Sequence, residues 1–364
     1  MLMVAVCVFL SCDFSNIKFS HKSIFSDGGL LIASAEQLSA TVITPHLEEP
    51  IQSGRNVLWC STFQLVWNEV CELIGEDVHF YEDPPMVPIL NKKTAKKSDI
   101  DDASYVALAG FIRDGILQRI RSELNKKFRG RAYPRRIPSG EGLRPQDIVG
   151  YAYLFKNLEF PQRFERLEKA ISFANTRVAC FGIGEEFKSG HLNMYKQVSI
   201  LSYENRDDFV IELKTKSEDD QVILAKVAPA ETLGDTIAQI TDCISQAIST
   251  KMRTDDILKV PKFNFDLHRR YKELLGRNLK VRNPDIAKDL LVLAAEQLIR
   301  FQMDEKGVRL RSESKSSFAC SAPSIPRPQH IMIFDKPFLI MLKRRDTQRP
   351  YFALWVDNPE LLVQ

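Results

Sequence analysis

Apolar residues recur along this chain with two periods, and the periods place the elements. Phe63, Val66, Trp67, Val70 and Ile74 return at steps of three and four, which predicts an amphipathic helix over 61–74 with Ser61 or Thr62 at its cap. Leu108, Ile112, Ile116, Ile120 and Leu124 return every four residues, which predicts the longest helix over 101–128. Between these, Pro84, Pro85, Pro88 and a Lys cluster predict an irregular connection. Residues 148–155 are apolar on both faces, as in a strand buried within a sheet. Three β-rich runs at 197–203, 209–214 and 222–227 are separated by polar breaks, which predicts an antiparallel meander. Thr232 caps a helix predicted over 233–248. A strand at 260–265 and a helix at 269–275 come next, and Ile299, Phe301 and Met303 share one side of a strand over 298–303. Strands resume at 331–334, 338–343 and 351–356.

The fold class these elements predict is α+β, with mixed β-sheets and surrounding helices. Residues 1–49 read as an amino-terminal segment, partly disordered or a weak signal, and 50–364 as a single domain. Residues 1–10 form an apolar run too short to span a bilayer, with no Lys or Arg before it. It reads as the core of an export signal ending near Leu10-Ser11-Cys12, or as a buried first strand.

Charge and candidate chemistry narrow the function classes. Lys plus Arg is 50 against 47 for Asp plus Glu, a net charge of +3 over 364 residues, so a nucleic-acid or other polyanion site must be a local patch. One candidate exists: Lys126, Lys127, Arg129, Arg131, Arg135 and Arg136, interleaved with Phe128 and Tyr133. The same cations also suit a solvated helix end, where they complement the macrodipole. The seven cysteines are scattered with no CxxC pair, which argues against a disulfide scaffold and a zinc ribbon. The histidines are equally dispersed, and no HExxH, P-loop, GxSxG or GxGxxG is present. The expectation is a protein that is not an enzyme, with no cofactor and no metal.

The last sixty residues carry the strongest signal. A long Ser- and Pro-rich polar stretch, 308–330, lies between predicted strands, and loops of that length inside compact domains are usually functional or disordered. It is preceded by Met303-Asp304-Glu305-Lys306-Gly307 and succeeded by a return through Phe334-Asp335-Lys336-Pro337-Phe338-Leu339-Ile340-Met341-Leu342. The chain then runs Tyr351-Phe352-Ala353-Leu354-Trp355-Val356-Asp357-Asn358-Pro359. In order and spacing these three motifs resemble the serpin family. Val260-Pro261-Lys262-Phe263, Tyr153-Leu154-Phe155-Lys156-Asn157 and Asn56-Val57-Leu58-Trp59-Cys60-Ser61 resemble upstream segments of the same family, so the resemblance covers about residues 50 to 360. Three departures mark a divergent, prokaryotic-type member. Phe160 stands where the family has Trp, Leu354 stands near its last-strand Gly, and the interval between first helix and central strand is short.

The resemblance implies a suicide inhibitor of a serine or cysteine protease, monomeric and extracellular, with no membrane span. The protease acylates on an exposed loop, and the cleaved loop enters the central sheet as an extra strand. The hinge is Glu305, Lys306, Gly307 and Val308. From Val308 the inserting face is Leu310, Ser312, Ser314 and Ser316, continuing to Phe318, and carries no charge. The opposite face holds Arg309, Arg311, Glu313 and Lys315. Burying the first face therefore costs no buried charge. The scissile bond is expected near Ser321-Ala322, where small residues suit an elastase-, chymotrypsin- or subtilisin-like pocket. Arg309, Leu310 and Arg311 are bulkier than the small residues favoured in this stretch. That keeps a non-inhibitory serpin-like binding protein as the alternative, with a polyanion-binding protein as the third reading.

Overall fold

The computed structural model describes residues 2–6 (backbone only), 30–129, 134, 137–138, 141–184, 192–284, 286, 290–307 and 329–364. In chain order the first half contains β1 (Leu2–Val6), β2 (Leu31–Ser34), β3 (Thr41–Thr44), β4 (Asn56–Cys60), α1 (Thr62–Ile74), α2 (Met86–Leu90), β5 (Tyr105–Phe111), α3 (Ile116–Phe128), β6 (Ile148–Lys156), β7 (Glu165–Phe173) and β8 (Thr176–Ile183). The second half contains α4 (Leu192–Lys196), β9 (Val198–Asn205), β10 (Asp208–Leu213), β11 (Asp220–Lys226), α5 (Leu233–Gln246), β12 (Thr250–Lys251), β13 (Ile257–Pro261), β14 (Phe263–Arg270), β15 (Glu296–Met303), β16 (Ile331–Ile333), β17 (Phe338–Arg344) and β18 (Pro350–Val356). The class is α+β, with mixed sheets and few helices, as the sequence predicts.

The largest sheet has eight strands in the order β12-β9-β10-β11-β17-β18-β4-β3. Its register sets Ile211, Leu224, Ile340, Leu354, Leu58 and Ile43 in one row across six strands. All six are buried in the main core. Leu354 fills its place in that row, which accounts for a large apolar residue at that position. The opposite face buries Val57, Trp59, Ile223, Leu339, Met341 and Trp355 under Leu233, Ile237 and Ile240 of α5. Burial on both faces explains why these strands read as unbroken apolar runs. The meander β9-β10-β11 pairs antiparallel as predicted. The Thr232 hydroxyl caps α5 by accepting from Asp235 N at 3.1 Å.

Two predicted helices are corrected. Residues 105–111, placed in a long helix by the spacing of Leu108 and Ile112, are strand β5. β5 pairs antiparallel with β6 from Tyr105↔Leu154 to Phe111↔Ile148. Tyr105, Val106 and Phe111 favour a strand, and a partner along the full length outweighs the accidental four-residue spacing. The helix begins only at Ile116, after Gly115 has turned the chain with φ 71°. At 269–275 no α-helix forms. Arg269 and Arg270 extend β14 against Gln297 and Glu296, and only one 3₁₀ turn, Lys272–Leu274, comes after it.

The central strands are covered by α1 on one face and α3 on the other. Ala152 and Leu154 of β6 join the core around α1, whereas Tyr151 and Tyr153 pack with Ile116, Ile120, Leu124 and Phe128 of α3. β5 and β6 form one group with β1, and β15, β14 and β2 form another. β1 pairs antiparallel with β6, from Leu2↔Lys156 to Val6↔Ala152, and its other edge lies against β15. It thus fills a seam between the two groups. β2 and β3, from the first fifty residues, pair with β14 and β4 respectively.

Candidate functional site

The site grows from the end of β15. Its last residue, Met303, lies opposite Phe263 of β14, and the chain then turns, with Gly307 N donating to Asp304 O at 3.1 Å. Asp304 Oδ1 accepts from Lys306 N at 2.9 Å, which tightens the turn. Gly307 has φ 76°, and a Cβ there would stand 2.4 Å from Phe160 N and 2.9 Å from Leu158 O. Only glycine meets both the left-handed backbone and this close approach. The surface it presses on lies just beyond the end of β6. Phe160 is fixed there by edge contact with Phe164, ring centroids 4.9 Å apart, and by Phe181 at 6.1 Å.

Glu305 locks the turn. It is 6% exposed. Its Oε1 accepts from Arg163 Nη2 at 2.7 Å and its Oε2 from Lys262 Nζ. Phe164 N donates to Glu305 O at 2.8 Å. Burial by itself would raise the carboxyl pKa, but the Lys262 hydrogen bond and charge, a backbone N–H and Arg163 together bring it down from 4.5 to about 2. Glu305 therefore stays ionised and ties β15 to two other parts of the chain.

A second buried charge cluster sits at the same end of β6. Lys156 Nζ is 2.9 Å from Asp220 Oδ2, which also accepts from Ser217 Oγ at 2.7 Å. Tyr351 donates to Asp220 Oδ1 at 3.0 Å, and its own pKa is raised by burial and by that carboxylate. Lys156 thereby joins β6 to the eight-stranded sheet.

The return into the sheets is anchored at His330. His330 N donates to Asp256 Oδ1 at 2.8 Å, and Ile257 N donates to His330 O at 3.0 Å. Ile331–Ile333 then pair parallel with Ile257–Lys259. Behind them Lys226 Nζ, buried, bonds Ile333 O at 2.8 Å and Asp335 Oδ1 at 2.6 Å. Ile257 and Phe263, the partners of the two anchors, are six positions apart on β13 and β14, a span of roughly 20 Å at most. The stretch between the anchors, 308–328, is much longer than that span needs.

Of the predicted site residues, Glu305, Lys306 and Gly307 stand together at this turn. Val308, Leu310, Ser312, Ser314, Ser316, Ser321 and Ala322 lie outside the described residues. The candidate basic patch is only partly described, since Arg131, Arg135 and Arg136 fall outside. Lys127 is committed to structure: its Nζ donates to Asp102 O at 2.7 Å and Tyr105 O at 3.0 Å, and it pairs with Asp102 Oδ1 at 3.0 Å. Lys126 and Arg129 are exposed. The residues that sequence reading missed include Arg163 and Glu159, both just after β6, and the buried partners Asp220, Lys226 and Asp256. Glu159 pairs with Lys216 at 2.6 Å. Nothing local links Arg163 to Glu305, 142 positions later.

Among the described residues, no group of three or more His, Cys, Asp or Glu is placed to hold a metal ion, and no helix is long and apolar enough to cross a membrane. Burial pushes the Cys60 thiol up to about 11 and raises Cys71 and Cys180 as well, so none of these three is an activated nucleophile.

No family model matches the chain, and no curated protein matches it. Solved structures similar to it include Serpin48, a highly specific serpin in the insect Tenebrio molitor, with 14% identity and a TM-score of 0.39 over 85% of this chain and 92% of that one. Another is thyroxine-binding globulin in complex with thyroxine, with 14% identity and a TM-score of 0.41 over 84% and 93%. A structure of the human globulin with the same ligand gives 14% and 0.40 over 84% and 92%. Likenesses this distant decide nothing about activity, which must be argued from the strands and the hinge.

Proposed function

We propose that the chain is a serpin-like inhibitor of a serine protease (or a cysteine protease), working through its 308–328 stretch. The observation that carries this reading is the placement of the hinge. Gly307 rests on the backbone just past the end of β6, so the chain leaves β15 beside the seam between β6 and β15. A strand entering there from the hinge runs antiparallel to β6. In the proposed reaction the protease Ser Oγ attacks the Ser321 carbonyl, the Ala322 amine departs with the proton, and Ser321 is left as an acyl ester on the protease. The freed loop then enters the sheet with Val308, Leu310, Ser312, Ser314 and Ser316 inward and carries the acyl-enzyme with it. The protein supplies strain and strand partners and no catalytic group.

The test is incubation with elastase-, chymotrypsin- and subtilisin-like proteases. The expected product is an SDS-stable covalent complex whose released peptide begins at Ala322. Val308→Arg should convert the inhibitor into a plain substrate, because it drives an unpaired charge beneath the sheet, while Arg309→Glu should leave trapping nearly intact. Simple turnover by every protease would remove the reading. A second reading, a non-inhibitory serpin-like binding protein, is favoured by one observation: β1 already stands in the seam.

A further inference from the structure

α3 has two faces, and packing explains only one of them. Ile116, Ile120, Leu124 and Phe128 return every four residues and are buried against β5 and β6. On the opposite side Arg119, Ser122, Lys126 and Arg129 return at steps of three, four and three, so they share one face, and all four are exposed. Gln118, Arg121 and Asn125 flank them and are exposed too. From Arg119 to Arg129 the face spans about 15 Å. The basic patch of the sequence thereby changes membership. Lys127 turns away to Asp102 and Tyr105, and Arg119 and Arg121 enter.

Helix stability does not explain this face. Cations favour the carboxyl end of a helix, which covers Lys126 and Arg129. Arg119 and Arg121 lie in the first half of α3, where the dipole favours acids, and its first turn holds none. Among the described residues Arg119 and Arg129 form no ion pair, and Lys126, its side chain 74% exposed, meets Glu123 only at 3.9 Å. Arg121 reaches the Pro138 carbonyl at 3.5 Å. Four cations thus stand with one carboxylate, a surplus of three, and the net charge of the whole chain is also +3.

The chemistry of the face selects its ligand. Three of the four cations are Arg, whose planar fork meets a phosphate with two hydrogen bonds. Gln118, Ser122 and Asn125 belong to the neutral donors that, with Arg and Lys, contact nucleic-acid phosphates and sugars. Every exposed residue of 116–129 is polar, so the face has no ring for unpaired bases to stack on and no apolar side chain to enter a bilayer.

We propose that the outer face of α3, through Arg119, Arg121, Lys126 and Arg129, binds the phosphate backbone of duplex nucleic acid without reading its sequence. The surface uses no residue of the proposed inhibitory machinery, so either claim can fail alone.

Fluorescence anisotropy of a labelled mixed-sequence DNA duplex with the full chain, at salt from about 50 to 200 mM, is the test. Four phosphate contacts predict a slope of log K on log salt of about −3.6, a loss of roughly 150-fold over that range. Arg119→Gln/Arg129→Gln should bring the slope to about −1.8 and weaken low-salt binding tenfold or more. Gln is a good helix former, so Tm should not move. Arg166→Gln, at an exposed position of β7, should change neither slope nor affinity. If the double variant fails to fold, Lys126→Gln decides alone, through a slope smaller by about 0.9. A single strand of the same length should bind more weakly than the duplex. No duplex binding by the wild type, with or without binding of a sulfated polysaccharide, would overturn the proposal. So would an unchanged slope in a folded variant, an equal loss in Arg166→Gln, or tighter binding of the single strand.

Discussion

Glu305→Gln tests whether the turn after β15 is held by charge. Folding takes the carboxyl from an ordinary 4.5 to about 2. At about 1.4 kcal/mol per pKa unit, that shift corresponds to about 3 kcal/mol of stability from the ionised group. Glu305 and Lys262 are both largely buried, but the Arg163 side chain is more than half exposed and its pair is screened by solvent, which leaves about 2 kcal/mol of this. Because the folded pKa is depressed, this contribution is fully present above pH 4.5 and is lost as pH falls toward 2. Gln keeps the shape but has no charge, and it leaves Lys262 facing a neutral group. Urea denaturation of both proteins at several pH values is the assay. The wild type should exceed the variant by about 2 kcal/mol at pH 7, and the gap should shrink toward zero near pH 2. Other carboxylates titrate in both proteins and cancel from the difference. A gap that stays constant from pH 7 to pH 3 would refute the account of this turn as an ion-paired lock.

Two further outcomes can be checked by the same unfolding measurements. Gly307→Ala should cost about 2 kcal/mol or more, from the left-handed backbone and the forced contact with Phe160 N, and should lower Tm by several degrees; an unchanged Tm would mean the turn adopts another conformation. Lys156→Met strands Asp220 in the interior and should cost about 3–5 kcal/mol, while the double change Lys156→Met/Asp220→Asn should recover much of that loss; strict additivity of the two single changes would show that the pair is not coupled.

The sequence was most readable where one local pattern suffices. The meander between Val198 and Lys226, the doubly buried β6 and the Thr232 cap all arise from period, polar breaks and capping chemistry. The turn after β15 was readable as a motif, because Asp304, Glu305, Lys306 and Gly307 are contiguous. Its mechanics were not. Arg163 and Lys262, which hold Glu305, lie far away in sequence, and ion pairs of that kind leave no periodic trace. β5 was misread because Leu108 and Ile112 satisfy a helical step while the partner that makes them a strand lies some forty residues on. The apolar run at the start of the chain fitted a first strand, but nothing in it names β6 as the partner. Pairing is chosen by edges, and edges exist only once the sheet is built.

The row of leucines and isoleucines across the eight-stranded sheet has a consequence for how the chain acquires its structure. β4 has β3 beside it from nearby sequence, but its other edge waits for β18, with Cys60 facing Phe352 about 290 residues later. At ordinary rates of synthesis that interval lasts roughly 15–60 s. During it Val57, Leu58, Trp59 and Cys60, all buried in the finished sheet, flank an open strand edge. The contacts that close the sheet are among the most distant in the chain, and such topologies fold slowly. The largest sheet is thus completed only after synthesis has passed β18, and until then β4 keeps one apolar edge open to pairing with a stranger.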